Sequence, residues 1–539
     1  MRVPLGKYRI MFILLMILVL SALTGRWLHN SDLLKKHNDV FRYGLVETVA
    51  TLDPARMNQR GERIIGLNLY EGLVALDVDT LEPLPALAVS WQISEDARVF
   101  TFQLRPRVRF HTGRPLTAMD VKSSWERVLD LGPRASAYHL LLPIKGTPEK
   151  VAGKTAEVAG IEVLNERELR VTLERPDVSF LSRLSMPPFW VLDVKFVQAQ
   201  GDQFGLPGCA SAGTGPFILR EWDRDQTVSL AINRIYWGQK PTLHQYKFFL
   251  TDPLTGLDLL REGRLDYIDG LPVQEHQQFL LDSPSAQVTE TKLLNNYFYQ
   301  FNLADPYWGK SRLLRQALNY ALNRQALIDR LFKGEAQPME SFLPAGFLGY
   351  QPNPFPYEHD QNKAQQLLVA AGYPQGKGLP PLELAYNDLE SHQIVAREVK
   401  RQLNEIGIAV KLRPVSWPVY CEGLEAGKFT CFRSGWSWEY ADPDDFFYAN
   451  FHSSRLGLSN FSFYQNPQVD YWLDAARSET KDNNKRMQLY RQIEKQVMED
   501  APLLWLFSWQ RLGLASPRVH NLKCTPLDLV FLHEVRFTP

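Results

Sequence analysis

Residues 408–413 read I-A-V-K-L-R, and residues 429–435 read F-T-C-F-R-S-G. Both are short and rich in β-formers, and residues 417–427 between them have the spacing of a helix. The same alternation precedes them. L-E-L-A-Y begins at Leu382, and a helical stretch spans 390–406. Strand–helix–strand–helix–strand is the pattern of an α/β lobe. Such lobes bind ligands at the carboxyl ends of their strands. The residues at that end are G-W-S-W-E-Y-A-D-P-D-D-F-F, 435–447. Carboxylates among aromatics can do acid–base chemistry, hold a metal, hold a ligand's cationic group, or simply close a loop. Asp442 has a local explanation: Asp is a preferred N-cap, Pro443 suits the first helical position, and acids favour the first turn. Glu439 precedes that cap and lacks this explanation. It could pair with a ligand ammonium or be a surface acid. Arg433, on the strand, could take a carboxylate, so the two suit a zwitterion; they could equally form an internal salt bridge.

The remaining chain fits a large globular protein. With 539 residues it exceeds a single core, so two or three lobes are expected. Lys plus Arg and Asp plus Glu both total 60, which gives nucleic acid no electrostatic basis as a partner. Thirteen Trp and 21 Tyr suit either ligand enclosure or core packing. Arg2, Lys7 and Arg9 precede the uncharged run I-M-F-I-L-L-M-I-L-V-L-S-A-L, residues 10–23. This is the form of an export signal, cleaved or kept as an anchor. No Cys follows it until Cys209, so no lipid-anchoring cysteine is present there. Of Cys209, Cys421, Cys431 and Cys524, the pair Cys421–Cys431 is nearest in sequence and is the first candidate disulfide; free thiols are the alternative.

Outside the lobe, V-F-T-F-Q-L (99–104), V-R-F (108–110), E-L-R-V-T-L (168–173) and F-I-L-R-E-W (217–222) predict strands. Residues 117–129 predict a helix, with Thr117 and Asp120 forming a capping box. Residues 313–332 predict a single long helix ending at Gly334. Enzyme motifs are weak. G-T-P-E-K-V-A-G-K-T (146–155) has the wrong spacing for a phosphate loop, and there is no H-E-x-x-H or G-x-S-x-G. His111 and His452 read as surface or satisfied histidines, and no Cys/His group has zinc spacing. No cofactor is expected.

Several stretches together resemble a known family. They are L-Y-E-G-L-V (69–74), L-A-V-S-W-Q-I-S-E-D-A-R-V-F-T-F-Q-L-R (87–105), V-R-F-H-T-G-R-P-L-T-A-M-D-V-K-S-S-W-E-R (108–127), G-T-G-P-F (213–217), N-R-I-Y-W-G (233–238), R-Q-A-L-N-Y-A-L-N-R-Q-A-L (315–327) and G-W-S-W-E-Y-A-D-P-D-D-F-F. The chain resembles the family 5 extracellular solute-binding proteins of ABC importers for oligopeptides, dipeptides and nickel. The resemblance implies an α/β, type II periplasmic-binding-protein fold, with two lobes about a hinge and an extra third domain. The implied boundaries are 1–38 for the export signal or anchor plus spacer; 39–70, 186–292 and 503–539 for domain I; 71–185 for domain II, the extra domain of lobe 1; and 293–502 for domain III, lobe 2.

The resemblance also implies a non-enzymatic, monomeric, periplasmic receptor that carries a short peptide to a permease complex in the inner membrane. A nickel chelate, opine or sugar receptor is the rival on the same fold. An exported hydrolase using Glu439 and Asp442, or a membrane-tethered sensor, is the rival of another class. In peptide-binding members, the position of Glu439 holds the peptide amino terminus, though with Asp. Arg433 matches a carboxylate-side contact, and Gly435 and Trp436 match backbone and stacking positions beside Trp438. Tyr138 matches an aromatic of the opposite lobe, and Asn58 to Arg60 match an edge that pairs with the peptide main chain.

Overall fold

The computed structural model describes residues 40–538 apart from 344–346, 348 and 351–355. The export-signal reading of residues 1–38 falls outside these. No helix among the described residues is long and apolar enough to cross a membrane.

The lobe predicted from 382–435 is present. Leu382–Asn387 pairs in parallel with Val410–Val415 and with Cys431–Ser437. The crossovers are helices Glu390–Glu405 and Trp417–Glu425. The last strand begins two residues later than the β-rich run suggested. Its inner face, at Cys431, joins Leu384, Val399 and Leu403 in the core.

This lobe is not a separate sheet. Cys431–Ser437 pairs antiparallel with Gln287–Phe301, which pairs antiparallel with Leu503–Ala515. From there the sheet continues through Tyr267–Asp269, Val40–Leu45, Gln245–Leu250, Thr227–Ile232 and Phe217–Asp223. One eleven-stranded sheet therefore runs through both lobes. The two long strands carry it across, and their register slips between Lys292 and Asn296. A bulge interrupts the ladder there, so bending at that point costs fewest hydrogen bonds. Leu503–Phe507 are buried with lobe 2, whereas Leu514 and Ala515 pack in domain I.

The extra domain has its own four-stranded sheet, ordered Ala88–Ile93, Val99–Leu104, Glu168–Thr172 and Ile161–Asn165. Helix Ala118–Leu131 covers it, started by the expected Thr117/Asp120 box and anchored by buried Trp125. V-R-F at 108–110 makes only a single bridge, Arg109 to Pro115, because Arg107 turns the chain at φ 64°.

Several motif residues are structural nodes. Half-buried Glu71 of L-Y-E-G-L-V accepts hydrogen bonds from Thr214 (2.7 Å), Tyr236 (2.8 Å) and Trp237 (2.9 Å), which tie G-T-G-P-F and N-R-I-Y-W-G to it. Gly213 and Gly215 are required because a Cβ at either would lie within 2.0 and 2.6 Å of backbone atoms of Asn68 and Leu69. His111 bridges Ser211 (2.8 Å) and the Gly215 carbonyl (3.1 Å), so it is a satisfied histidine.

Two expectations are corrected. The long helix over 313–332 is broken into Arg312–Ala321 and Arg324–Leu331. Asn323 caps the second helix by accepting the Ala326 N–H at 2.9 Å, and buried Arg324 donates to the carbonyls of Trp505 and Tyr357. Cys421 and Cys431 are not bonded, and all four cysteines are free thiols. Cys431 is sealed in the lobe 2 core, while Cys421 lies on the outer helix.

Candidate functional site

Where strand Cys431–Ser437 leaves the sheet, the chain crosses a cavity of about 760 Å³ between the extra domain and lobe 2. Gly435, Trp436, Glu439, Tyr440, Asp444 and Asp445 line one wall; His139, Arg175 and Arg183 line the other. Gly435 pairs with Tyr297, and a Cβ there would meet the Asn296 carbonyl at 2.7 Å. Trp436 donates its indole N–H to Asp445 Oδ2 at 2.9 Å.

The carboxylates of A-D-P-D-D divide their tasks. Contrary to the expectation that Asp442 caps the helix with Pro443 at its first position, the helix runs Asp444–Phe451 with Pro443 at the N-cap. Asp442, one residue earlier, accepts the Asp444 N–H at 2.9 Å and forms a buried ion pair with Arg486 at 2.6 Å. It does not line the cavity, so Glu439 and Asp442 are not assembled as an acid–base pair. Asp444 accepts from Arg477 (2.7 Å), Arg183 (3.1 Å) and Tyr440 (3.1 Å). These arginines hold its carboxyl well below the usual range, against the cost of burial. Arg183 also pairs with Asp177 at 2.7 Å. This buried cluster joins the extra domain to lobe 2.

Asp445 differs. Its Oδ2 accepts the Trp436 indole N–H and the Glu439 backbone N–H (3.1 Å), but no cation lies within ion-pair distance among the described residues. Burial, then the charge of Glu439, pushes its carboxyl well above the usual range. Glu439 itself reaches across the cavity mouth to His139 Nε2 at 2.8 Å. Two acids therefore converge at the strand end, and among the described residues the only group touching either carboxylate from the opposite domain is an imidazole. Such a site favours an ammonium or guanidinium.

The other sequence candidates lie elsewhere. Trp438 is buried in the lobe 2 core, stacked on Phe446 at 6.0 Å between centroids. Arg433 does not line this cavity. It lies over the Tyr297 ring, 4.8 Å from its centroid, with a buried Nε that has no hydrogen-bond partner among the described residues. His392 contacts the same tyrosine at 3.1 Å, and burial plus Arg433 push its imidazole down to about 4. Tyr138 packs on the extra-domain core, and its neighbour His139 takes the cavity position. Arg60 is buried and bound to Asp269 (2.5 Å) and Asp528 (2.8 Å). The backbone N–H groups of Asn58 and Gln59 are taken by Glu62 at 2.9 and 3.0 Å. No free edge for a peptide main chain remains at these two N–H groups.

Reading the sequence missed His139 and Asp445. His139 stands beside the Tyr138 that was singled out, and Asp445 was absorbed into the acidic first turn of helix Asp444–Phe451.

Residues 82–457 match the model of the bacterial extracellular solute-binding proteins, family 5, middle region. The chain belongs to this family. This solute-binding protein is 28% identical over 481 residues to the dipeptide-binding protein DppE of Bacillus subtilis, covering 86% of each chain. It is 30% identical over 478 residues to heme-binding protein A of Haemophilus influenzae, covering 85% of each. Among solved structures it superposes on the unliganded open form of the murein tripeptide binding protein MppA, with a TM-score of 0.81 and 26% identity. That alignment covers 93% of this chain and 97% of MppA. The multi-domain α/β binding-protein architecture read from the sequence is therefore the architecture present.

Proposed function

We propose that this binding protein captures short peptides in the periplasm and, as a monomer, delivers them to an ABC permease complex in the inner membrane. It binds and releases its cargo without chemistry. The observation that carries the reading is the convergence of Glu439 and Asp445 at the strand end, with no arginine or lysine within ion-pair distance of either among the described residues. An α-ammonium supplies the missing charge. The family and the peptide-binding relatives support the same reading. Asp442, locked on Arg486, is not placed to serve a hydrolase.

Calorimetric titration with short peptides and their N-acetylated forms tests this. Glu439→Gln keeps the shape and removes the charge. In a closed cleft the lost pair should cost roughly 2–5 kcal/mol of affinity. N-acetylation should cost the wild type a similar amount. Binding that ignores both changes would leave Glu439 a surface carboxylate.

A further inference from the structure

The cavity that carries Glu439 is also lined by basic groups. Three arginines line it besides the exposed Arg175 of the extra domain: Arg183, Arg477 and Arg455. Arg183 is paired with Asp177 and Asp444, and Arg477 with Asp444 at 2.7 Å. Those two acids are consumed. Arg455 is left over: its Nε reaches Ser459 Oγ at 3.4 Å, and its two terminal nitrogens have no hydrogen-bond or ion-pair partner among the described residues. Burial and the nearby charges of Arg477 and Arg183 lower its proton affinity, as expected for an uncompensated guanidinium.

The position is rigid although the side chain is uncommitted. The Arg455 N–H donates to the His452 carbonyl at 3.0 Å, and its own carbonyl accepts from Leu458 (3.0 Å), Ser459 (3.1 Å) and Asn460 (3.0 Å). Ser454 and Tyr448 bring hydroxyls to the same wall. Arg175 also has no carboxylate within ion-pair distance among the described residues. Glu174 beside it accepts the Gly146 N–H at 3.2 Å. A half-buried guanidinium held on a fixed turn among hydroxyls, with its fork unfilled, is the arrangement that recognises a carboxylate.

We propose that Arg455, aided by Arg175 from the extra domain, binds a carboxylate of the cargo in the cavity that Glu439 also lines. The cargo class is then a zwitterion: an ammonium at Glu439 and Asp445, a carboxylate at Arg455. This rests on the reading of Glu439 as the ammonium site, and it assigns the carboxylate to Arg455 rather than to Arg433, which lies outside this cavity.

The test titrates wild type, Arg455→Gln, Arg455→Lys and Arg433→Gln with oligoalanines of increasing length, each as the free acid, the C-terminal amide and the N-acetyl acid. The expected result is a roughly tenfold or greater loss of free-acid affinity in Arg455→Gln, partial retention in Arg455→Lys, and equal amide binding in wild type and Arg455→Gln. Unchanged free-acid binding in Arg455→Gln overturns the proposal. So does a loss of acid-over-amide preference confined to Arg433→Gln. N-acetylation reports on Glu439 separately: if it has no effect while Arg455→Gln still loses the free acid, the ammonium site falls and the carboxylate site stands. Failure of every oligoalanine to bind wild type overturns both. Thermal unfolding of each variant shows whether a loss is local, since Arg455 has no bonded acid among the described residues.

Discussion

His139 Nε2 lies 2.8 Å from Glu439 Oε2, joining residues 300 apart in sequence across the mouth of the cavity. The imidazole occupies the direction from which a ligand ammonium would approach. The two side chains are 52% and 40% exposed, so the contact is worth about 1 kcal/mol or less. His139 is therefore a weak placeholder rather than a lock. Replacing it with Ala should tighten binding of a free-amine peptide by a few-fold at most and leave the N-acetylated peptide unaffected. Titration of both ligands checks the sign; equal tightening of both would show that His139 acts on the lobes rather than on Glu439.

Asp442 gives a stability prediction. As a cap alone it would be worth about 1 kcal/mol. Its buried pair with Arg486 raises the stake, because Asp442→Asn leaves a guanidinium uncompensated in the core. Breaking a buried pair from one side costs about 3–5 kcal/mol. Denaturant unfolding should show a loss in that range. A loss near the capping value would mean that Arg486 finds another partner.

Asp445 predicts a pH dependence. Its carboxyl is raised above the ordinary value of 3.8 in the folded protein. Between that value and the folded one, the folded state holds a proton that the unfolded state has released. Stability contributed by this group therefore falls as pH rises through the window. Asp445→Asn still accepts the bonds from Trp436 and Glu439 and removes the titration. It should equal wild type in strong acid and exceed it at neutral pH, while binding ammonium ligands more weakly. Unfolding midpoints across pH test this; parallel profiles would contradict it.

Gly435→Ala tests how the strand end is built. The added Cβ would sit 2.7 Å from the Asn296 carbonyl, which belongs to the sheet backbone and cannot swing away. Overpacking of this kind costs about 1–3 kcal/mol. The shift should also displace Trp436 and Asp445, so both unfolding stability and ligand affinity should fall. A variant as stable as wild type would show that the strand pair can part at this point.

Local chemistry was legible in the sequence wherever a short segment settles its own conformation. The Thr117/Asp120 box, the alternation of Val99–Leu104, and the helices and strands from Leu382 to Phe451 depend on neighbours a few residues away. The family motifs extended that reach to the lobed architecture. The site itself depended on distant partners. Asp442, Asp444 and Asp445 are nearly identical in sequence context, yet one pairs with Arg486, one with Arg183 and Arg477, and one forms no ion pair among the described residues. Likewise the apolar spacing of 313–332 could not show that Asn323, its N–H held by Gln402, would cap a new helix whose Arg324 donates to the Trp505 carbonyl. Burial makes each unpaired charge costly, so the partner that tertiary packing brings within reach decides what each of these carboxylates does.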